Sequence, residues 1–321
     1  GQWSNNTKEK IDVINPFNEE VLGQIPVSTK EDLDQALESA KKSFQLWKKT
    51  SPWERSKIIK KIADLIRERA DDIAKTMTLE TDKPLAEAKG ETMGSAEQFD
   101  WYSEETKRIY GQIIEPRTQD VRMQVRYEPV GVVAAFAAWN FPILLPSRKV
   151  AAAIAAGCSV IIKPASETPG TCMHMIQACK DAGLPDGVVN FVTVKSSFIS
   201  KYLIESPIVR KVSLTGSVEV GKEILHMAAD GIKKVSMELG GHAPVLVLND
   251  ADVTTAAITS SNTKFRNAGQ VCISPTRFIV QDKVYNEYCE KFVENTKKLK
   301  LGNGLDEGVN VGPMANIRGL E

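Results

Sequence analysis

From residue 131 onward the chain alternates short apolar runs with amphipathic stretches, and this order constrains the fold more than any other feature. The runs at 131–136 and 159–162 are almost entirely apolar, as in strands that are covered on both faces. Stretches with helical spacing separate the runs, so an α/β fold with a doubly wound parallel sheet is expected. Further strands are predicted at 188–194, 211–214 and 234–238, and helices at 146–157, 171–182, 197–205 and 220–229.

The residues before this region predict a strand pair followed by three helices. Residues 11–16 and 21–27 have the character of paired strands. Helical spacing of apolar residues then continues over 33–47, 52–79 and 85–110. The many charged residues of these helices are typical of solvated outer faces.

Residues 111–127 have a different character and predict a protruding β-hairpin. Two short strands, 112–114 and 121–127, flank a polar turn, and the second strand alternates apolar with polar side chains. Such a ribbon can be a partner-binding edge, and it can equally be a capped surface hairpin. Periodicity alone leaves both interpretations open.

A second α/β unit is predicted after residue 238. Strands at 243–248 and 277–281 alternate with helices at 251–267 and 285–299. No strand signal follows in the glycine-rich stretch that ends the sequence, so we expect this unit to be incomplete.

Charge and cysteine usage disfavour several classes of function. The 321 residues carry 41 basic and 41 acidic side chains, so neither nucleic acid nor a membrane surface is expected as a partner. The longest apolar runs, at 130–138 and 151–157, are too short to cross a bilayer. Five scattered cysteines without a C-x-x-C pair predict a reduced, cytoplasmic protein. The three histidines have no metal-ligand spacing with these cysteines, so no metal is expected.

One cysteine, Cys272, lies among loop-forming residues in the stretch F-R-N-A-G-Q-V-C-I-S-P-T-R at 265–277. A thiol in such a loop can face a cleft and act as a nucleophile. Because cysteine is among the most buried residue types, a packing role is the alternative.

Three other stretches place polar residues at the ends of predicted strands, where open α/β sheets bind ligands. Asn140 could donate its amide N–H to an oxyanion, or could simply form a turn. Gly216 and Ser217 begin a helix that could hold a phosphate, although an ordinary strand-to-helix turn has the same pattern. Glu238 could be a general base, or a solvated carboxylate at the end of a strand.

Together, the strings W-N-F-P, K-P-A, L-T-G-S-x-x-x-G, E-L-G-G and G-Q-x-C, in this order, resemble the NAD(P)-dependent aldehyde dehydrogenase superfamily. The resemblance extends over essentially the whole chain. It implies a cofactor-binding domain at 1–110 and 128–237, an oligomerisation hairpin at 111–127 and a truncated catalytic domain at 238–321. Members of the family continue well past residue 321, and a homodimer or homotetramer is implied for the full-length protein.

The resemblance also implies roles for individual residues. Cys272 matches the nucleophile, Asn140 the oxyanion-hole amide and Glu238 the base that activates water. An aldehyde would form a thiohemiacetal on the cysteine, then a thioester, then a carboxylic acid. The positions that match cofactor-binding residues are Trp139, Lys163, Ser166, Gly216, Ser217, Gly221, Leu239 and Gly240.

Two positions refine the expected cofactor and substrate. Ser166 stands where relatives that prefer NAD often carry glutamate, and with Lys163 it would leave room for a 2′-phosphate, so NADP is expected before NAD. Arg148 and Arg266 match the arginines with which succinate-semialdehyde dehydrogenases hold a distal carboxylate. A semialdehyde such as succinic semialdehyde is therefore the expected substrate.

Other functions remain open at this stage. Both arginines could be structural in a dehydrogenase of general aliphatic, amino- or hydroxyaldehydes. The chain could also be a cofactor-binding fragment without activity. A cysteine hydrolase is disfavoured because no histidine occurs in a motif beside Cys272.

Overall fold

The computed structural model describes residues 3, 7, 9–193 and 197–320, without the side chains of 197–199 and 318. The strands are β1 Lys10–Ile14, β2 Val21–Pro26, β3 Gln112–Ile114, β4 Met123–Val125, β5 Val132–Phe136, β6 Ser159–Lys163, β7 Val189–Phe191, β8 Val209–Gly216, β9 Lys234–Leu239, β10 Val245–Val247 and β11 Phe278–Val280. The helices are α1 Lys30–Trp47, α2 Pro52–Glu68, α3 Ala70–Thr81, α4 Leu85–Glu105, α5 Leu144–Ala155, α6 Pro169–Asp181, α7 Ser197–Glu205, α8 Val218–Asp230, α9 Val253–Phe265, α10 Asp282–Thr296 and α11 Ile317–Leu320.

Strands β5 to β9 form one parallel sheet in the spatial order β7-β6-β5-β8-β9. The chain builds outward from β5 to β7 and then returns to the centre at β8, so the order reverses between β5 and β8. This reversal is the switch point at which open α/β sheets bind ligands beyond the carboxyl ends of their strands. The predicted parallel sheet is confirmed; residue 194 of the predicted strand 188–194 lies outside the described residues.

Both faces of this sheet are covered, because alternate residues of each strand point to opposite sides. Val133 and Ala135 of β5 belong to a core shared with α2 to α6. Val132 and Ala134 belong to a second core, shared with α1, α7 and α8. The burial of each large apolar side chain contributes about 1.5–3 kcal/mol, and the doubly wound architecture is confirmed.

The helices before the sheet depart from prediction in two respects. The predicted helix 52–79 is two helices, because Arg69 between them has φ −100° and ψ 15°, outside the helical range. The predicted outer faces are not uniformly solvated either. Glu91 is buried, so the solvated interpretation is wrong at this position; Glu80 and Lys83, which lie between the predicted helices, are buried as well.

The predicted hairpin at 111–127 is present. Strands β3 and β4 pair antiparallel, with Gln112 opposite Val125, and both are exposed along their whole length. Ile113 is 88% exposed, so the ribbon presents apolar side chains to its surroundings. Among the described helices, none combines the length and apolar character that crossing a bilayer requires.

The predicted second unit contains a separate two-stranded parallel sheet. Val245 of β10 pairs with Phe278 of β11, and α9 and α10 pack against these strands. The chain after α10 then returns to the first unit. Gly304 donates its N–H to Asp82 Oδ1 at 2.6 Å and accepts from Leu85 N at 2.9 Å, so this tail is anchored to the α3–α4 turn.

Candidate active site

The loop that carries Cys272 begins with a left-handed turn directly after α9. Asn267, Ala268 and Gly269 have φ of 50°, 56° and 78°, which reverses the chain toward the large sheet. For the two non-glycine residues this conformation costs about 1–2 kcal/mol each. Strained backbone of this kind tends to occur at functional sites. Cys272 itself is half-buried and forms no disulfide.

Asn140 reaches this loop from the other unit. It follows the carboxyl end of β5, and its Nδ2 donates to the backbone oxygen of Gln270 at 3.0 Å. The backbone oxygen of Asn140 accepts from Asn267 Nδ2 at 3.1 Å. One N–H of the Asn140 amide is therefore engaged, and the other remains for an acceptor in the site.

Glu238 lies at the same edge of the sheet but is not joined to these residues. It pairs with Thr215 in the register of β8 and β9, and its side chain is exposed. It forms no hydrogen bond to Asn140 or to the Cys272 loop within the described structure. Its charge acts on Lys149, whose Nζ donates to Ser213 Oγ at 3.0 Å. Burial lowers the pKa of Lys149 to about 8, and the charge of Glu238 acts against this shift.

Several residues expected to bind a cofactor lie at the carboxyl ends of neighbouring strands. Lys163 ends β6, Gly216 ends β8 and Leu239 ends β9. Ser217 is the N-cap of α8, and its Oγ accepts from Val220 N at 3.3 Å, so this hydroxyl stabilises the helix.

The crevice fits a dinucleotide by its space and by its polar atoms. A β-carbon at Gly240 would have no atom within 4 Å, so there is room beside the backbone. Thr215 Oγ1 is buried without a hydrogen-bond partner among the described residues, and so is Asn140 Oδ1. Unpartnered buried oxygens at a switch point are available to a ligand.

Three further positions surround this crevice on the β5 and β6 side. Trp139 and Ser166 are half-buried, whereas the neighbouring Glu167 is exposed. Burial lowers the pKa of Lys163, and the charge of Glu167 acts in the opposite direction. A cation beside a serine thus lies at the end of β6.

The two arginines expected to bind substrate are both exposed. The Arg266 guanidinium lies 5.1 Å from the ring centroid of Phe141, the residue next to Asn140. Arg148 projects from α5. Neither forms a salt bridge with a described residue, although the charge of Arg266 acts on the Glu87 carboxylate.

Sequence reasoning missed four residues that support this site, namely the buried Lys83, Glu91 and Asn267 and the half-buried Glu87. The only signal in the sequence is the four-residue spacing of Glu87 and Glu91, which places these two along one side of a helix. Among the described residues, no group of three or more His, Cys, Asp or Glu side chains could hold a metal ion.

Histidine takes no part in the described hydrogen bonds of Cys272. His242 Nδ1 lies 2.9 Å from Thr276 Oγ1, four residues beyond Cys272. None of the described hydrogen bonds joins a histidine to Cys272, so the geometry adds no support for a cysteine hydrolase.

Comparisons with known proteins give one consistent family. A family model described as the aldehyde dehydrogenase family matches residues 3–321. The chain is 42% identical over 321 residues to the NADP(+) succinate-semialdehyde dehydrogenase GabD of Escherichia coli, covering all of this chain and 67% of that protein. It is 41% identical over 315 residues to a 3-sulfolactaldehyde dehydrogenase of Pseudomonas putida, covering 98% and 65%.

A solved structure gives the same result for the fold. The crystal structure of an Escherichia coli NADP-dependent enzyme superposes with a TM-score of 0.98 at 42% identity. The match covers 99% of this chain and 66% of that one. The chain thus spans about two thirds of the length of the proteins that it resembles.

Proposed function

This chain belongs to the aldehyde dehydrogenase family, as its motifs predicted, and from that premise we propose that the protein carrying it oxidises an aldehyde to a carboxylic acid with NAD(P)+. The observation that carries the proposal is the hydrogen bond between Asn140 Nδ2 and the backbone oxygen of Gln270. It joins the proposed oxyanion donor to the loop of the proposed nucleophile.

The first chemical step uses Cys272 and Asn140. The cysteine thiolate forms a bond to the carbonyl carbon, and the π electrons move to the oxygen. The free N–H of the Asn140 amide and the backbone N–H of Cys272 then stabilise this oxyanion. One such donor contributes about 10²–10³-fold to the rate.

The second half of the reaction releases the product. When bound, the nicotinamide of NAD(P)+ accepts the hydride that leaves the substrate carbon. Glu238 takes a proton from a water molecule as that water attacks the thioester carbon, and the carbon–sulfur bond breaks to return the thiolate. The exposure of Glu238 supports this role because water reaches it.

The proposed nucleophile is tested by Cys272→Ala, with Cys289→Ala as a matched control. Both cysteines are free and half-buried, but Cys289 lies on α10, away from the Asn140 loop. Cys272→Ala should abolish aldehyde-dependent NAD(P)H formation, and Cys289→Ala should retain it. Clear residual turnover in Cys272→Ala rejects the assignment, whereas dinucleotide binding without turnover by the unaltered protein supports a binding role.

We propose that the substrate carries an anionic group distant from its aldehyde. Arg148 and Arg266 are exposed and form no salt bridge with a described residue, which leaves both guanidinium groups available to a substrate. The two relatives named above act, by their names, on succinate semialdehyde and 3-sulfolactaldehyde. One carries a carboxylate and the other a sulfonate, so succinic semialdehyde is a suitable first substrate to assay.

We also propose a cofactor preference, domain boundaries, a self-association surface and a location for this protein. NADP is preferred over NAD because Lys163 and Ser166 offer a cation and space for a 2′-phosphate. Residues 1–110 and 128–237 would bind the cofactor, and residues 238–321 would belong to the catalytic domain. The residues that would line the cofactor crevice are Trp139, Gly216, Ser217, Gly221, Leu239 and Gly240. The exposed apolar hairpin supports self-association through 111–127, and five free cysteines support a cytoplasmic location.

A further inference from the structure

Lys83 and Glu91 form an ion pair in the interior. Each residue is 2% exposed, and of the ion pairs among the described residues this is the one with both side chains buried. Removing two charges from water is costly, and apolar residues often stabilise a fold equally well. Fold stability alone therefore does not explain why charges occupy this place.

The ammonium group of Lys83 also contacts the loop of the proposed oxyanion donor. Its Nζ donates to the backbone oxygen of Asn140 at 2.8 Å. The same nitrogen lies 4.2 Å from the ring centroid of Phe141, the next residue. Lys83 thus holds the Asn140 peptide by a charge-assisted hydrogen bond and a cation–π contact.

The carboxylate of Glu91 holds the other end of that loop. Its Oε1 accepts from Ile143 N and Leu144 N, both at 3.1 Å. These N–H groups belong to the first turn of α5, a helix with no side-chain cap of its own. A negative charge at a helix N-terminus is favourable, so Glu91 fixes where α5 begins.

A third branch reaches the Cys272 loop. Asn267 donates its side chain to the Asn140 backbone oxygen, and its N–H donates to Glu87 Oε2 at 3.0 Å. Glu87 lies one turn before Glu91 on α4, so both carboxylates project from the same side of this helix. Burial raises the pKa of Glu87, while the Asn267 N–H and nearby cations act against that shift.

We propose that Lys83 and Glu91 are positioning residues that fix the Asn140 backbone, so that its side-chain N–H stays directed at the oxyanion. The inference rests on the proposed function and deepens it. Without the pair, the Asn140 backbone oxygen keeps only Asn267 as its donor, and the first turn of α5 loses its acceptor. The loop would then sample orientations in which the amide no longer faces the thiohemiacetal oxygen.

The test is a double variant in the full-length protein, Lys83→Met with Glu91→Leu. Removing both charges avoids a lone buried ion and should preserve the fold. We expect unchanged dinucleotide affinity and a thermal midpoint close to that of the unaltered protein. We expect kcat/KM for the aldehyde to fall about 10²-fold, comparable to the loss in Asn140→Ala.

A merely structural role is excluded by combining the variants. If the pair acts through Asn140, adding Asn140→Ala to the double variant should produce almost no further loss of kcat/KM. Lys83→Arg alone keeps the positive charge, so its kcat/KM for the aldehyde should be higher than that of the double variant. Glu80→Gln is the matched control, because Glu80 is also buried and accepts from Gly170 N and Thr171 N at the start of α6. It should leave the aldehyde kcat/KM within about threefold of the original.

Two results overturn the inference. One is a double variant with nearly unchanged kcat/KM, and the other is a loss that multiplies with that of Asn140→Ala. Activity that survives Cys272→Ala would instead reject the proposed function, so the two failures are distinguishable. If the double variant does not fold, Glu91→Gln measured with and without Asn140→Ala provides the same comparison.

Discussion

The side chain of Leu239 lies directly against Gly221, where the first turn of α8 meets the end of β9. A β-carbon at position 221 would stand 2.7 Å from Leu239 Cδ2 and 3.0 Å from Cδ1. Real β-carbons almost never approach another heavy atom so closely. A side chain at position 221 would therefore force the methyl groups of Leu239 to move from the place that they occupy beside the glycine.

Gly221→Ala should consequently displace Leu239 and weaken cofactor binding. Overpacking of this kind costs about 1–3 kcal/mol, so the dinucleotide dissociation constant should rise about tenfold. Fluorescence titration with NADP+ measures it. Gly23→Ala, on β2, is the control, because a β-carbon there also has no atom within 4 Å. Adding Leu239→Ala to Gly221→Ala removes the methyl groups that the new β-carbon meets, so the thermal midpoint should rise above that of Gly221→Ala alone. A midpoint that does not rise would contradict the steric explanation.

The arginines can be tested with a pair of substrates that differ in charge. Arg148→Ala and Arg266→Ala should each raise KM for succinic semialdehyde tenfold or more, since a charge-assisted hydrogen bond contributes about 1.5–3 kcal/mol. KM for an uncharged aldehyde of equal length should change about threefold or less. Arg122→Ala, in the exposed hairpin, is the control. Equal effects on both aldehydes would leave the arginines without a role in selecting charge.

Cofactor preference should respond to position 166. Ser166→Glu places a carboxylate near the proposed 2′-phosphate site, so KM for NADP+ should rise about tenfold relative to KM for NAD+. Initial rates with both cofactors at a fixed aldehyde concentration measure the ratio. Glu167→Gln provides the comparison, because that neighbouring carboxylate is already exposed. An unchanged ratio in Ser166→Glu would place the cofactor's phosphate elsewhere.

The buried Lys149 predicts a characteristic dependence of stability on pH. Burial lowers its pKa from 10.5 to about 8, opposed by Glu238. Between pH 8 and 10.5 the folded state has released a proton that the unfolded state keeps, so this lysine makes the free energy of unfolding rise with pH. Below pH 8 the buried charge destabilises the folded state.

Lys149→Met should therefore raise the free energy of unfolding at pH 7 by about 1–3 kcal/mol and remove part of the rise above pH 8. Urea unfolding at pH 7, 8, 9 and 10 measures both effects. Lys222→Met, at an exposed position on α8, should reproduce the original pH profile. A Lys149→Met profile parallel to the original would show that this lysine titrates normally in the folded protein.

Local patterns predicted the strands and the placement of several residues near the site. Lys163 and Gly216 were expected at strand ends, and a parallel sheet gathers such ends at one edge. The contact between Asn140 and Gln270 was harder to predict from local patterns, because 130 residues separate them. Motif resemblance placed them together, whereas periodicity could not.

The burial of charged residues could not be predicted from the sequence, and the reason is physical. Lys83 lies in the turn before α4 and Glu91 lies on α4, where charged residues are usually solvated, and the backbone groups that bind them come about fifty residues later. The break at Arg69 was hidden in the same way, because apolar spacing continues on both sides of it. A non-helical backbone angle at one residue does not change the spacing of apolar residues along the sequence.

The bond between Gly304 and Asp82 also has a consequence for biosynthesis. Its partners are 222 residues apart, so the α3–α4 turn leaves the ribosome long before its partner exists. At about 5–20 residues per second the delay is roughly 10 to 45 s. During this delay the nascent domain that contains Asp82 and Lys83 can form its sheet core, but the hydrogen bond between Gly304 and Asp82 cannot form. We therefore expect a truncated chain ending before Gly304 to bind dinucleotide, while the amide hydrogen of Leu85, which donates to the Gly304 oxygen, exchanges faster than in the longer chain.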